Sequence, residues 1–137
     1  MRSLPVRLRP NQDLRGALVS QLAEHDVDAA FVLQGIGSLS VAQIRFAGMA
    51  TATELRGDME ILTLSGSLSP EGAHLHITVA DGQGRVLGGH VAPGCIVRTT
   101  AEILLALLPD HAFSREPDAE SGCNELVIRT APPSRQS

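Results

Sequence analysis

The chain has no tyrosine, no tryptophan and no lysine, and only three phenylalanines in 137 residues. So few rings nearly exclude the aromatic stacking platforms on which single-stranded nucleic acids lie. They also mean that the core must be built from Leu, Ile, Val and Ala. All eleven basic residues are arginine, set against fifteen acids for a formal charge of -4. That balance disfavours DNA as a partner, because a generic nucleic-acid binder shows a basic patch and a high pI. Only a local clustering of arginines would restore it. Long hydrophobic runs are missing too: no stretch approaches the ~18 apolar residues of a membrane span, so no membrane partner is expected. The opening "MRSLPVRLRPNQDLRG" lacks the apolar segment of a signal peptide, so a cytoplasmic location is expected. Cys95 and Cys123, with no CxxC spacing, read as reduced, buried small hydrophobes.

A hydrophobic fraction of 43% and a charged fraction of 19% describe a folded chain long enough for an ordinary core. Residues 1–130 read as a single domain, and 131–137 as a disordered, proline-rich tail. "VRLRP" suits a short strand ended by Pro10. "NQDLRGALVSQLAEHD" is an amphipathic helix, capped by Asn11 or Asp13, with Leu14, Leu18 and Leu22 on one face. "AAFVLQG" is a buried strand, "GIGSLS" (35–40) a turn between strands, and "SLSVAQIRFAG" and "MEILTLSGSLS" alternating strands that each end at glycine. "GCIVRTTAEILLALL" is ambiguous between strand and helix, and "NELVI" is a last strand. Many short strands and one clear helix indicate an α+β domain on a largely antiparallel sheet.

What the chain does have is histidine, in one place. "GAHLHITVADGQGRVLGGHV" (72–91) carries His74, His76 and His90 inside an apparent hairpin. His74 and His76 share a strand face. A two-residue loop would put His90 on the opposite face. A three-residue loop, a type I turn followed by a left-handed glycine at Gly84, pairs Asp81 with Arg85 and sets His76 opposite His90. Gly84 favours this second register, and Gly88 and Gly89 leave the backbone beside His90 uncrowded. One such histidine would merely hydrogen-bond across the sheet; three on one face indicate a divalent metal. Zinc is the first choice, with three protein ligands and an open position, while nickel, cobalt, manganese and iron share the ligand type. Glu60 is a candidate catalytic acid/base or fourth ligand if its strand adjoins the hairpin, and Glu102 is a weaker case of the same kind. His25 and His111 read as surface residues without partners at metal spacing. "GIGSLS" lacks the ending of a phosphate loop.

"GDMEILTLSGSLS", "HLHITVADGQGRVLGGHV" and "GCIVRTTAEILL" follow one another as in the PPC (plants and prokaryotes conserved) domain, and residues 5 to 129 resemble that family. The resemblance implies a mixed, mainly antiparallel sheet flanked by helices, a strand at "TTAEILLALL" and a homotrimer. His74, His76 and His90 match the HLH…GGH pattern of its prokaryotic branch, some members of which look like metal binders. The implied fold is similar to that of acetolactate decarboxylase, which uses a three-histidine metal centre, an analogy of fold alone. Plant members carry an AT-hook and many bacterial relatives are described as DNA-binding; this chain has no Arg-Gly-Arg-Pro hook. A trimer would also carry about three times -4, a repulsive field for phosphate. The expected function is thus a metal site that binds or transforms a small oxygen-rich molecule. The alternatives are a DNA- or protein-interaction module, or a scaffold in which the histidines are a vestige.

Overall fold

The computed structural model describes residues 1–131. Along the chain these form β1 (Arg2–Leu8), α1 (Leu14–Glu24), β2 (Ala30–Arg45), β3 (Thr53–Ser69), β4 (Gly72–Ala80), β5 (Val86–Val91), β6 (Ile96–Leu107), β7 (His111–Pro117) and β8 (Asn124–Thr130). Six strands make one sheet in the order β1-β6-β2-β3-β4-β5, and β7 and β8 pair separately. Every ladder among the described residues is antiparallel, the one parallel contact being an isolated bridge between Asp28 and Ala112. The mixed sheet flanked by helices is therefore refined to antiparallel ladders with, among the described residues, a single helix. The segment 96–107, left open between helix and strand, is strand. Ala131 is tied to the body by its N–H, which donates to the Asp110 carbonyl at 2.8 Å; the rest of the tail expected to be disordered lies outside the described residues.

The long strands curl. The last residues of β2 pair on one edge with β3 and on the other with β5, through Ile44↔Val91 and Arg45↔His90, so β2-β3-β4-β5 close on themselves. Strict alternation produces an inside and an outside. Along β4, Ala73, Leu75, Ile77 and Val79 are buried while His74 and His76 point outward. The inner set joins Ile44, Met59, Ile61, Leu64 and Val91 in a core made almost wholly of aliphatic side chains. Leu14, Leu18 and Leu22 of α1 complete that core, the period of four putting all three on one face.

Asp13 begins the helix. One of its oxygens accepts from the Gly16 N–H at 2.8 Å and the other from the Gly94 N–H at 2.7 Å, so one carboxylate caps α1 and pins the loop before β6. Asp13→Ala is expected to cost about 1–2 kcal/mol, read as a lower midpoint in urea unfolding, whereas Asp13→Asn keeps most of the stability.

Three expectations are corrected. "GIGSLS" is the interior of β2 and not a turn. Gly37 is there because β6 passes so close that a Cβ on it would stand 2.2 Å from the Thr100 carbonyl oxygen. "MEILTLSGSLS" likewise runs through Gly66 to Ser69 instead of ending at glycine. Cys95 is buried, and burial pushes its thiol pKa up, but Cys123 is exposed. The strand β7 had no counterpart in the sequence reading, because "HAFSREP" shows no alternation. Among the described residues no helix is long and apolar enough to cross a membrane.

Candidate metal centre

The turn decides where His90 points. Asp81 N–H donates to the Arg85 carbonyl at 3.0 Å, Gly84 N–H donates to the Asp81 carbonyl at 2.9 Å, and Gly84 has φ 76°. The Asp81 carboxylate stiffens the loop, accepting from the backbone N–H groups of Gln83 and Arg85 and from Arg85 Nε at 2.9–3.0 Å. These bonds, the backbone N–H of Arg85 first, hold the Asp81 pKa below the usual carboxylate value. It is the three-residue loop, so Ala80 pairs with Val86 and His76 falls opposite His90. On the other side of β4, Ser67 stands opposite His74 and Ser65 opposite His76.

The three imidazoles meet. Ring centroids lie 5.0 Å apart for His74 and His76, 5.3 Å for His74 and His90, and 5.9 Å for His76 and His90. One nitrogen from each lies within 4.8 Å of the others, near enough for the three to share one ion. The donor set fits a divalent transition metal: three nitrogens, no anionic ligand, and an open side facing solvent. Desolvation by the packed neighbours lowers the pKa of His74, with Arg115 adding to it, and lowers that of His90 to about 4, with Arg45 adding to it. Both rings are thus neutral at pH 7, the form that ligates metal.

Between pH 4 and 6.5 an unfolded His90 binds protons that the folded one refuses, so stability rises with pH across that window and is lost as pH falls through it. The urea midpoint of metal-free protein is expected to fall from pH 6.5 towards 4, and to fall less steeply in His90→Gln.

Two hollows flank the triad. One, of about 490 Å³, is lined by Arg45, Phe46, Ser65, His76, Gly89 and His90. The other, of about 300 Å³, is lined by Phe31, Ser67, His74, His76, Arg115 and Glu125. Arg115 reaches it from β7, donating from Nη2 to Ser67 Oγ at 3.0 Å, while its backbone N–H donates to Glu71 Oε2 at 2.7 Å. Phe113 of the same strand packs edge-on against Phe31 at 5.7 Å. The β7-β8 hairpin is thereby held against the histidine face. A larger hollow of about 710 Å³ lies at the turn end of the hairpin, among Arg56, Met59, Asp81 and Leu87, away from the histidines.

Glu60 does adjoin the hairpin, but opposite Ala80. That is four residues along β4 from His76, about 13 Å at 3.3 Å per residue, and the structure does not bring it to the triad. Glu102 is on β6 opposite Arg7 and Ile36, also apart from the histidines. His25 and His111 are half-buried rather than fully exposed, and neither joins the cluster. Sequence reasoning missed Arg45, Arg115 and Glu125. Arg45 carries no local signal beyond strand alternation, and the other two sit on a hairpin recognised only in its second strand.

Residues 1–109 match the sequence profile of the Plants and Prokaryotes Conserved (PCC) domain. The chain is 47% identical over 140 residues to the bifunctional protein GlmU of Synechococcus sp. strain JA-3-3Ab, a match that takes in 99% of this chain but 22% of that protein, so the chain spans about a fifth of this relative's length. Among solved structures, a hypothetical protein of Salmonella enterica superposes with a TM-score of 0.90 at 40% identity, over 94% of each chain. A metal-containing protein of Archaeoglobus fulgidus gives 0.76 at 25% identity, over 93% of this chain and 94% of that one. A protein of Ralstonia eutropha JMP134 described as a candidate DNA-binding protein gives 0.77 at 25%, over 91% and 90%. With four-fifths of its length matched and its fold shared with these proteins over 91–94% of the chain, the chain belongs to the Plants and Prokaryotes Conserved domain family.

Proposed function

We propose that this domain holds a divalent metal, zinc in the first instance, on His74, His76 and His90, and uses it to bind or transform a small oxygen-rich molecule. The observation that carries this is the convergence of three imidazole nitrogens within 4.8 Å on an open face. The metal-containing relative from Archaeoglobus supports it. A bound ion there would supply Lewis acidity toward a ligand oxygen. The residues do the rest: Ser65 and Ser67 offer hydroxyls beside the triad. Glu125, in the same hollow as His74, is a nearer carboxylate for moving a proton than Glu60. The test is metal analysis of protein purified without an affinity tag. No metal, even after zinc supplementation, would move the search to partners.

The same proposal includes a homotrimer. Leu33 and Ile36 of β2 and Leu104 of the adjacent β6 are 39–52% exposed, which suits burial against another copy. A monomeric mass in solution contradicts it. A DNA-binding role is supported by the description of the Ralstonia relative, and the net charge of -4 opposes it. Salt-dependent binding to duplex DNA at physiological ionic strength would reverse that ranking.

A further inference from the structure

Two arginines stand at the histidine site with their charge uncommitted. Arg45 is the cross-strand partner of His90, so the two side chains leave the same face, and its Nη1 donates only to the Met49 carbonyl, at 3.3 Å. Arg115 donates to the Ser67 hydroxyl at 3.0 Å, and Ser67 is the cross-strand partner of His74. Both are half-buried, and both are held by neutral acceptors. Four other guanidiniums, those of Arg56, Arg85, Arg98 and Arg129, each have a carboxylate oxygen at 2.9–3.0 Å. Arg2, Arg7, Arg9 and Arg15 have none among the described residues, but they line neither of the hollows beside the triad. Among the described residues neither Arg45 nor Arg115 has such an ion pair. In a chain where acids outnumber bases fifteen to eleven, two guanidiniums without acids on either side of the three imidazoles make a locally cationic mouth. Glu125 is the one carboxylate lining the two hollows.

We propose that the ligand is a small organic acid whose carboxylate is gripped by Arg45 or Arg115 while a second oxygen group, 2-hydroxy, 2-oxo or another carboxylate, meets the histidine-held metal. This rests on the metal reading of the triad and names the ligand class for it. The planar guanidinium fork matches a carboxylate with two parallel N–H···O bonds. It matches phosphate equally well, so the choice between them falls to the remaining lining. Each arginine has an aromatic neighbour in its hollow: Phe46 beside Arg45, and Phe31 beside Arg115. An organic acid has a carbon skeleton to lay against such a ring, and inorganic phosphate has none. The hollows, about 490 and 300 Å³, have room for such an acid.

Calorimetric titration of the zinc-loaded full chain with L-lactate, malonate and inorganic phosphate tests this. Zinc content and far-UV circular dichroism are checked in every variant. The expected result is that at least one acid binds more tightly than phosphate. Arg115→Gln and Arg45→Gln keep their zinc, and at least one of them weakens the acid tenfold or more. At whichever of the two positions glutamine weakens binding, the lysine variant (Arg45→Lys or Arg115→Lys), which keeps the charge but loses the fork, falls between wild type and that glutamine variant. Acid binding unchanged in both glutamine variants, or absent from zinc-loaded wild type, overturns the ligand assignment and leaves the metal reading standing. Tighter binding of phosphate than of either acid overturns the carboxylate class. Failure of wild type to load zinc overturns the metal reading itself, and this inference with it.

Discussion

His76→Ala is expected to carry no divalent metal after purification, where the wild-type chain is expected to carry about one ion per chain. His76 is central to the triad: His90 stands directly across the hairpin from it and His74 lies two residues along the same strand. Removing it leaves two donors, 5.3 Å apart between ring centroids, on an open face where water competes for the ion. Replacing a residue that only supports a metal ligand costs about ten- to a hundredfold in affinity, so deleting a ligand should cost at least the upper end of that range. The side chain points outward and is exposed, while the neighbouring Leu75 and Ile77 form the core. The metal-free variant should therefore unfold within about 0.5 kcal/mol of metal-free wild type. Elemental analysis and denaturant melts of the two proteins check both halves. Metal retained in full by His76→Ala would refute the site, and a large loss of apo stability would mean that the ring has a structural role.

The second large effect is expected at Gly66. Here, where Gly66 of β3 pairs with Leu75 of β4, φ is 148°, and a Cβ would lie 1.9 Å from the His74 carbonyl oxygen and 2.8 Å from the Leu75 Cα. Neither obstacle is a flexible side-chain tip: both are backbone of the strand that carries the histidines. Gly66→Ala thus combines a conformation nearly restricted to glycine with a clash that only strand separation relieves. A cost on the order of 3 kcal/mol is expected, or roughly 10 °C in melting temperature for a chain of this size. Zinc affinity should fall as well, because the shift enters at His74. Gly82→Ala, in the hairpin turn with nothing within 4 Å of the new methyl, should be neutral or slightly stabilising. Equal melting temperatures for the two variants would show that the β3-β4 approach is looser than the structure places it.

What could be read from the sequence was what short-range chemistry governs. The helix was legible because Leu14, Leu18 and Leu22 repeat at its period and Asp13 caps it. The histidine face was legible because the loop length of a hairpin sets its register, and Asp81, Gly84 and Arg85 specify that loop within five residues. The glycines of β2 and β3 were misread for the complementary reason. Glycine marks turns in a local reading, but Gly37 and Gly66 answer to Thr100 and His74, which belong to other strands. The short strand β7 escaped notice because its burial comes from docking onto Phe31 and Ser67 rather than from its own pattern.

By itself, then, the sequence determined the aliphatic core, the helix and the register that gathers three imidazoles, since each depends on residues a few positions apart. Only the tertiary structure decided what surrounds them. Ring closure by β2 and β5 puts Arg45 beside His90, and the docked hairpin puts Arg115 over Ser67, 48 residues away. No periodicity or turn rule reaches across such separations: these neighbours are set by how the whole sheet curls to bury its inner face.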